Sequence, residues 1–271
     1  MIELDENVIR LISAKASKIK TYTGRQLKEA ILKSEGRVLM GQTYLKNPIL
    51  FPNCTSTELM FAFGGDMVML NGFDFRNPST CPGLQGFDYQ GIKNLVGGRP
   101  VGIYMGCPKE GLDITSDYLY DLSGMICTEE NLKKCKEWGV SFIVLGGNPG
   151  SGTSIKDVVH WTKKAREICG DDMLIFAGKW EDGIIEKVLG DPLADYDAKE
   201  IIDQLIENGA DIIDFPAPGS RHGITVERIR ELIEYTHRKG ALAMSFLNSN
   251  VEAADRDTIR RNNIVDETNR M

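Results

Sequence analysis

SFIVLGGNPGSGTSIKDVV, residues 141–159, packs an apolar β-branched run, a glycine-studded turn and a helix start into one short stretch. Phe142–Leu145 reads as a buried strand, because an uninterrupted aliphatic run bounded by glycine suits a sheet covered on both faces. Ser154 followed by Asp157 is a capping-box spacing that opens the helix SIKDVVHWTKKAREIC. Strand, glycine turn, helix is the βα step of an α/β protein.

The same step recurs outward in both directions. Seven runs carry it: RVLMGQTY (37–44), DMVMLN (66–71), PVGIYMG (100–106), SFIVLGG (141–147), MLIFAGK (173–179), DIIDFPA (211–217) and ALAMSFL (241–247). Their starts lie 29, 34, 41, 32, 38 and 30 residues apart, one βα unit each time. Between them, residues 198–208 place Ile201, Ile202, Leu205 and Ile206 on one helical stripe that ends at Gly209, and 225–239 repeat the arrangement up to Gly240. Residues 7–34 read as one or two helices ahead of the first strand. Two parallel-sheet folds fit, a doubly wound sheet or a (β/α)8 barrel. The regular units, with no G-x-G-x-x-G after the first strand, favour the barrel.

The expected fold is therefore α/β, a TIM-type (β/α)8 barrel incomplete at seven βα units. It forms one domain over 1–271, with a helical segment at 1–36 and the units at 37–271. An eighth strand would start near residue 270, but RRNNIVDETNRM (260–271) is too polar for a buried one. A gap or distorted seam is expected between the first and seventh strands, and a homodimer could cover it.

The totals narrow the function. Net charge is −7 and the pI near 5.2, which excludes the clustered basic surface of a nucleic-acid binder. No apolar run approaches the roughly 18 residues of a membrane span, and the acidic start MIELDENVIR has no signal pattern. A cytoplasmic protein without nucleic-acid or membrane partners is expected. The six cysteines form no C-x-x-C pair and read as reduced packing thiols, so no metal ligand is assigned.

The glycine turn 146–152 offers backbone N–H groups at a helix N-terminus, a suitable cradle for an oxyanion. Asn148, Gly150, Ser151 and Gly152 are its expected substrate-binding residues. A plain tight turn is the rival reading. In a barrel this loop lies on the C-terminal face, where active sites are built. Other strand ends add Gln42, Asn71, Asp214, Gly219, Ser220 and Ser245. Lys179 closes LIFAGK, and if Ile175 and Ala177 point into the barrel, alternation sends Lys179 inward at the mouth. There it would serve as a base or a fixed positive charge. Asp214, a carboxylate inside the apolar run DIIDF, is its favoured partner. No cofactor can be named; Mg²⁺ could be held by Asp74, Glu181 or Asp182, though their spacing is not diagnostic.

FGGDMVMLNGFDF (63–75), VLGGNPGSG, FAGK, ADIIDFPAPG, GALAMSFLNSN and DRDTIR, taken together over residues 5–261, resemble a group of bacterial TIM-barrel proteins. These are often labelled haloacid-dehalogenase-like hydrolases or phosphoenolpyruvate-phosphomutase-like. The resemblance implies a barrel with Asn71, Asn148, Gly150, Lys179, Pro216, Pro218 and Gly219 at its mouth. The D-x-D-x-[TV] motif of a haloacid-dehalogenase nucleophile is absent here, and so is the eighth strand that such proteins carry after the DTIR helix.

The expected function is an enzyme acting on a small phosphorylated or carboxylated metabolite by lyase, aldolase or mutase chemistry. Lys179, Asp214 and Asn71 would be its catalytic residues. The alternatives are a catalytically inactive barrel that binds a metabolite, and a Mg²⁺-assisted hydrolase.

Overall fold

The computed structural model describes residues 4–47, 49–109, 124–147, 153–179, 196–218 and 224–245. Seven parallel strands follow one another around a curled sheet in chain order: β1 (Met40–Tyr44), β2 (Met67–Asn71), β3 (Val101–Gly106), β4 (Phe142–Gly146), β5 (Leu174–Ala177), β6 (Ile212–Phe215) and β7 (Leu242–Ser245). This is a TIM-barrel-like α/β fold, and each strand lies inside one of the seven apolar runs. Among the described residues β1 pairs with β2 and β7 with β6, and no backbone ladder joins β1 to β7.

The first strand starts later than its run suggests. Glu35 and Gly36 take positive φ angles of 54° and 75°, so the chain is still turning there. The Leu39 N–H then donates to the Asp66 carboxylate at 2.8 Å before the ladder begins.

Each of the longer helices after β1 starts beside a capping side chain. Thr55 caps α3 (Ser56–Ala62) and Asp88 caps α4 (Tyr89–Leu95), while Thr128 caps α5 (Glu129–Glu137). Helix α6 (Ile155–Cys169) opens with the Asp157 carboxylate accepting from the Ser154 N–H at 2.7 Å and from its hydroxyl at 3.1 Å. Asp197 caps α7 (Ala198–Glu207) and Thr225 caps α8 (Val226–Arg238). The N-terminal segment differs from the one or two helices expected. It breaks into a 3-10 turn at Leu11–Ser13, the single turn α1 (Ala16–Ile19) and the nine-residue α2 (Gly24–Leu32).

Two apolar cores result. The outer one packs helices on the outward side chains of the strands, Val68, Leu70, Ile103, Ile143, Leu145, Ile175, Ala177, Ile213 and Phe215. The inner one fills the barrel with Met67, Met69, Phe142, Val144, Leu174, Phe176 and Ile212, closed at the bottom by Val8, Leu11, Leu27 and Ala30. The broken N-terminal segment is thus the floor of the barrel. Beneath β5 and β6, the Asp211 carboxylate ties this floor down: it accepts from Arg166 at 2.5 Å and from the Ile175 N–H at 3.0 Å, and Lys28 of α2 stands 3.5 Å away.

The described cysteines are free thiols, and all but Cys54 are buried. Burial raises Cys169 to about 11 and raises Cys81, Cys107, Cys127 and Cys135 as well, so the five buried thiols are packing residues held protonated. Among the described residues no helix is long and apolar enough to cross a membrane.

Candidate functional site

The parity of β5 is the reverse of the one expected. Leu174 and Phe176 face the barrel axis, with the Phe176 ring 5.3 Å from that of Phe142, while Ile175 and Ala177 face the helices. Both faces of a parallel strand are buried, so the apolar pattern carries no mark of which is inner. Lys179 reaches the mouth by another route. It is 7% exposed, two residues beyond the end of β5, and its aliphatic stem lies across Gly147. A Cβ on Gly147 would stand 2.7 Å from Lys179 Cδ and 3.1 Å from Thr153 Cγ2.

That contact joins Lys179 to the described ends of the glycine turn. The Thr153 hydroxyl donates to the Cys107 carbonyl at 3.1 Å, and the Cys107 N–H donates to the Gly146 carbonyl at 2.7 Å. The exits of β3 and β4 and the start of α6 are therefore bound together at one corner. Asn148, Gly150, Ser151 and Gly152 lie outside the described residues, as do Gly219, Ser220, Glu181 and Asp182.

Asp214 points into the barrel near its top, 6% exposed, paired in register with Met244. Burial pushes its carboxyl well above the ordinary carboxylate range. Its neighbour must be glycine: a Cβ on Gly178 would come within 2.6 Å of the Asp214 carbonyl oxygen and 2.9 Å of its Cβ.

Gly146 and Gly178 belong to a layer that also includes Gly106, which is paired with Gly146 in the β3–β4 register. β3 and β4 thus end in glycine, and β5 is followed by one. The layer below presents Tyr104, which shares the inner core, and its hydroxyl would sit 3.1 Å from a Cβ on Gly146. Burial raises its phenol, and the nearby Cys107, Asp214 and Tyr44 raise it further, so the hydroxyl remains a donor. Tyr104, which the sequence places at the end of the third run, is not among the expected site residues. Its position between Gly102 and Gly106 in VGIYMG was the available signal, a polar-tipped ring among residues without side chains.

Asn71 ends β2 opposite Tyr44 and continues the inner row of Met67 and Met69; Gln42 continues that of Met40. Both are half-buried. Ser245 is paired with Phe215 and shares the helix-facing side of β7 with Ala243, away from the inner row. Asp74 is engaged by Arg76, whose backbone N–H donates to it at 2.8 Å. Among the described residues no three His, Cys, Asp or Glu side chains converge as metal ligands.

A family model described as Domain of unknown function (DUF7916) matches residues 12–266. The chain belongs to this family. The match takes in all seven strands of the DUF7916 chain, with Lys179 and Asp214 inside it. No curated protein matches it.

Solved structures resemble it at low identity. One is 2,3-dimethylmalate lyase, a PEP mutase/isocitrate lyase superfamily member, at 12% identity and TM-score 0.47 over 83% of this chain and 78% of that one. Another is the carboxyl transferase domain from Rhizobium etli pyruvate carboxylase, at 13% identity and TM-score 0.47 over 91% of this chain and 36% of that one. A third is the spore cortex-lytic enzyme SleL from Bacillus megaterium QM B1551, at 12% identity and TM-score 0.43 over 77% and 49%. Their names describe different chemistries, and the likeness chooses no reaction for the DUF7916 chain.

Proposed function

We propose that this chain is an enzyme that binds a small phosphorylated or carboxylated metabolite at the C-terminal mouth of its barrel. The chemistry would be of the lyase, aldolase or mutase kind. One observation carries the reading: two ionisable side chains, Lys179 and Asp214, are buried at 7% and 6% exposure at the ends of adjacent strands. Burying such groups costs several kcal/mol unless they are well partnered, and clefts that hold them are where catalysis is found.

The residues divide the work. Lys179 acts as base or as a fixed positive charge for the substrate's anionic end. Asp214, whose carboxyl burial raises, is the general acid that donates to an oxygen gaining charge. Tyr104 supplies a second neutral donor from below, and Asn71 and Gln42 orient the substrate. The glycine layer of Gly106, Gly146 and Gly178 leaves backbone as the wall, so a small substrate can approach closely. Asn148, Gly150, Ser151, Gly152, Gly219 and Ser220 would complete the anion cradle.

The test is a panel of phosphorylated and carboxylated metabolites, phosphoenolpyruvate and sugar phosphates among them, followed by NMR with and without Mg²⁺. Turnover that disappears in Lys179→Met and Asp214→Asn is expected. Binding without turnover would identify a metabolite-binding barrel without activity. A phosphate released only with Mg²⁺ would identify a hydrolase.

A further inference from the structure

At the end of the barrel opposite the mouth, a cavity of about 260 Å³ lies between the N-terminal segment and the residues that lead into β3, β4 and β5. Neither Lys179 nor Asp214 lines it. Its walls carry Lys20, Lys93 and Lys136 against a single carboxylate, Asp172. In a protein of net charge −7, three lysines from three separate elements lining one void run against the overall sign.

Each lysine has donors to spare. Lys93 donates to the Gly139 carbonyl, and Lys136 to the Ile168 carbonyl at 2.8 Å. An ammonium has three N–H donors, so two remain on each. Among the described residues no carboxylate comes within ion-pair distance of any of the three. Burial alone pushes Lys93 below its ordinary value, with no nearby carboxylate to offset it. Capping the carbonyls at the ends of α5 and α6 accounts for one bond from each of two lysines. It does not account for Lys20, nor for their convergence.

The rest of the wall suits an anion with a small body. Thr21, Tyr22 and Thr23 bring the N-terminus of α2, the positive end of its dipole, to the rim. Leu27, Val140 and Met173 make an apolar floor. A volume just under the roughly 300 Å³ at which ordinary ligand pockets begin excludes a dinucleotide.

We infer that this cavity is a second binding site, for a small phosphate-class anion such as inorganic phosphate or a short phosphate monoester. It stands apart from the mouth and does not depend on the reaction proposed there. A ligand that bridges the N-terminal floor and the strand starts binds only the folded chain, and therefore stabilises it.

Thermal denaturation of the full chain tests this, with phosphate and glycerol phosphate compared against chloride at matched ionic strength. Both anions should raise the melting temperature above the chloride value. The double variant Lys20→Met, Lys136→Met changes two exposed side chains and should weaken binding by about tenfold or more, while in Lys179→Met, which removes the mouth's share of any binding, both anions should still raise the melting temperature above the chloride value. Tighter binding of glycerol phosphate than of phosphate would place the apolar floor in contact with the ligand. The inference is overturned if neither anion stabilises the chain beyond chloride. It is equally overturned if the double variant keeps the shift, or if Lys179→Met alone loses it, because the anion would then sit at the mouth.

Discussion

The stem of Lys179 lies across Gly147, so that a Cβ on the glycine would stand 2.7 Å from the lysine Cδ and 3.0 Å from its Cε. The absence of one carbon on β4's exit thus sets the path of a side chain that leaves β5. The atoms in the way are the far part of a flexible chain, which can move. Gly147→Ala should therefore cost only about 1 kcal/mol of stability yet displace Lys179 and lower turnover by about tenfold or more. Equal losses of kcat and kcat/KM in a well-folded variant are the expected signature.

Gly178 gives the contrasting case. Its Cβ would meet the Asp214 backbone oxygen at 2.6 Å, and backbone cannot step aside. Gly178→Ala should destabilise by about 2–3 kcal/mol, read as a lower urea midpoint at unchanged slope. A fully stable Gly178→Ala would contradict the packing of β5 against β6.

The buried carboxyl of Asp214 should tie stability to pH. Its pKa is raised in the folded state, so between the unfolded value of about 3.9 and the folded value the unfolded chain gives up a proton that the native chain keeps. Stability falls as pH rises through that window and levels off above it. Asp214→Asn removes the contribution, and the difference in stability between variant and wild type should grow in the variant's favour from pH 4 towards neutrality. A difference that does not change with pH would show that Asp214 is ionised in the fold.

Asp211 holds the barrel floor by accepting from Arg166 and from the Ile175 N–H, with Lys28 of α2 beside it. The side chains are about a fifth to a quarter exposed, so the network is only partly screened. Asp211→Ala leaves the Ile175 N–H unpaired and takes the near carboxylate from Arg166, which keeps the Gly209, Gly170 and Met173 carbonyls, and should cost about 2–3 kcal/mol. Hydrogen exchange should show the loss first at the strand starts and in α2, with the mouth affected last.

Among the described residues no strand pairs with the outer edges of β1 and β7, and we propose that a second copy of the chain covers them. Leu39 beside β1 is 43% exposed, and Leu4 and Leu32 of the barrel floor are exposed as well. An open strand edge flanked by apolar side chains tends to find a second copy. Sedimentation velocity should give the mass of a homodimer; a single-chain mass at about 100 μM would count against it.

The seven strands and the helix caps were legible in the sequence because their causes are local. A β-branched run ending in glycine has few conformations open to it, and Ser154 with Asp157, or Thr225 ahead of α8, satisfies donors within one turn. The positions of Lys179, Asp214 and Asn71 at or near strand ends were legible too, since strand ends in such a fold share one face.

Which residues face inward was decided only by tertiary structure. Ile175 and Phe176 are both apolar and both buried, and only packing against Phe142 on one side and the helices on the other separates them. The N-terminal segment has a local signal at one break, the capping box of Thr23 and Gln26 that opens α2, but its packing as the barrel floor is tertiary. The lysine-lined cavity, too, comes from elements more than forty residues apart in the chain, Lys20, Lys93 and Lys136, brought together by the curl of the sheet. Local chemistry fixes what each segment becomes, while the choice between two equally apolar faces belongs to the packing of the whole.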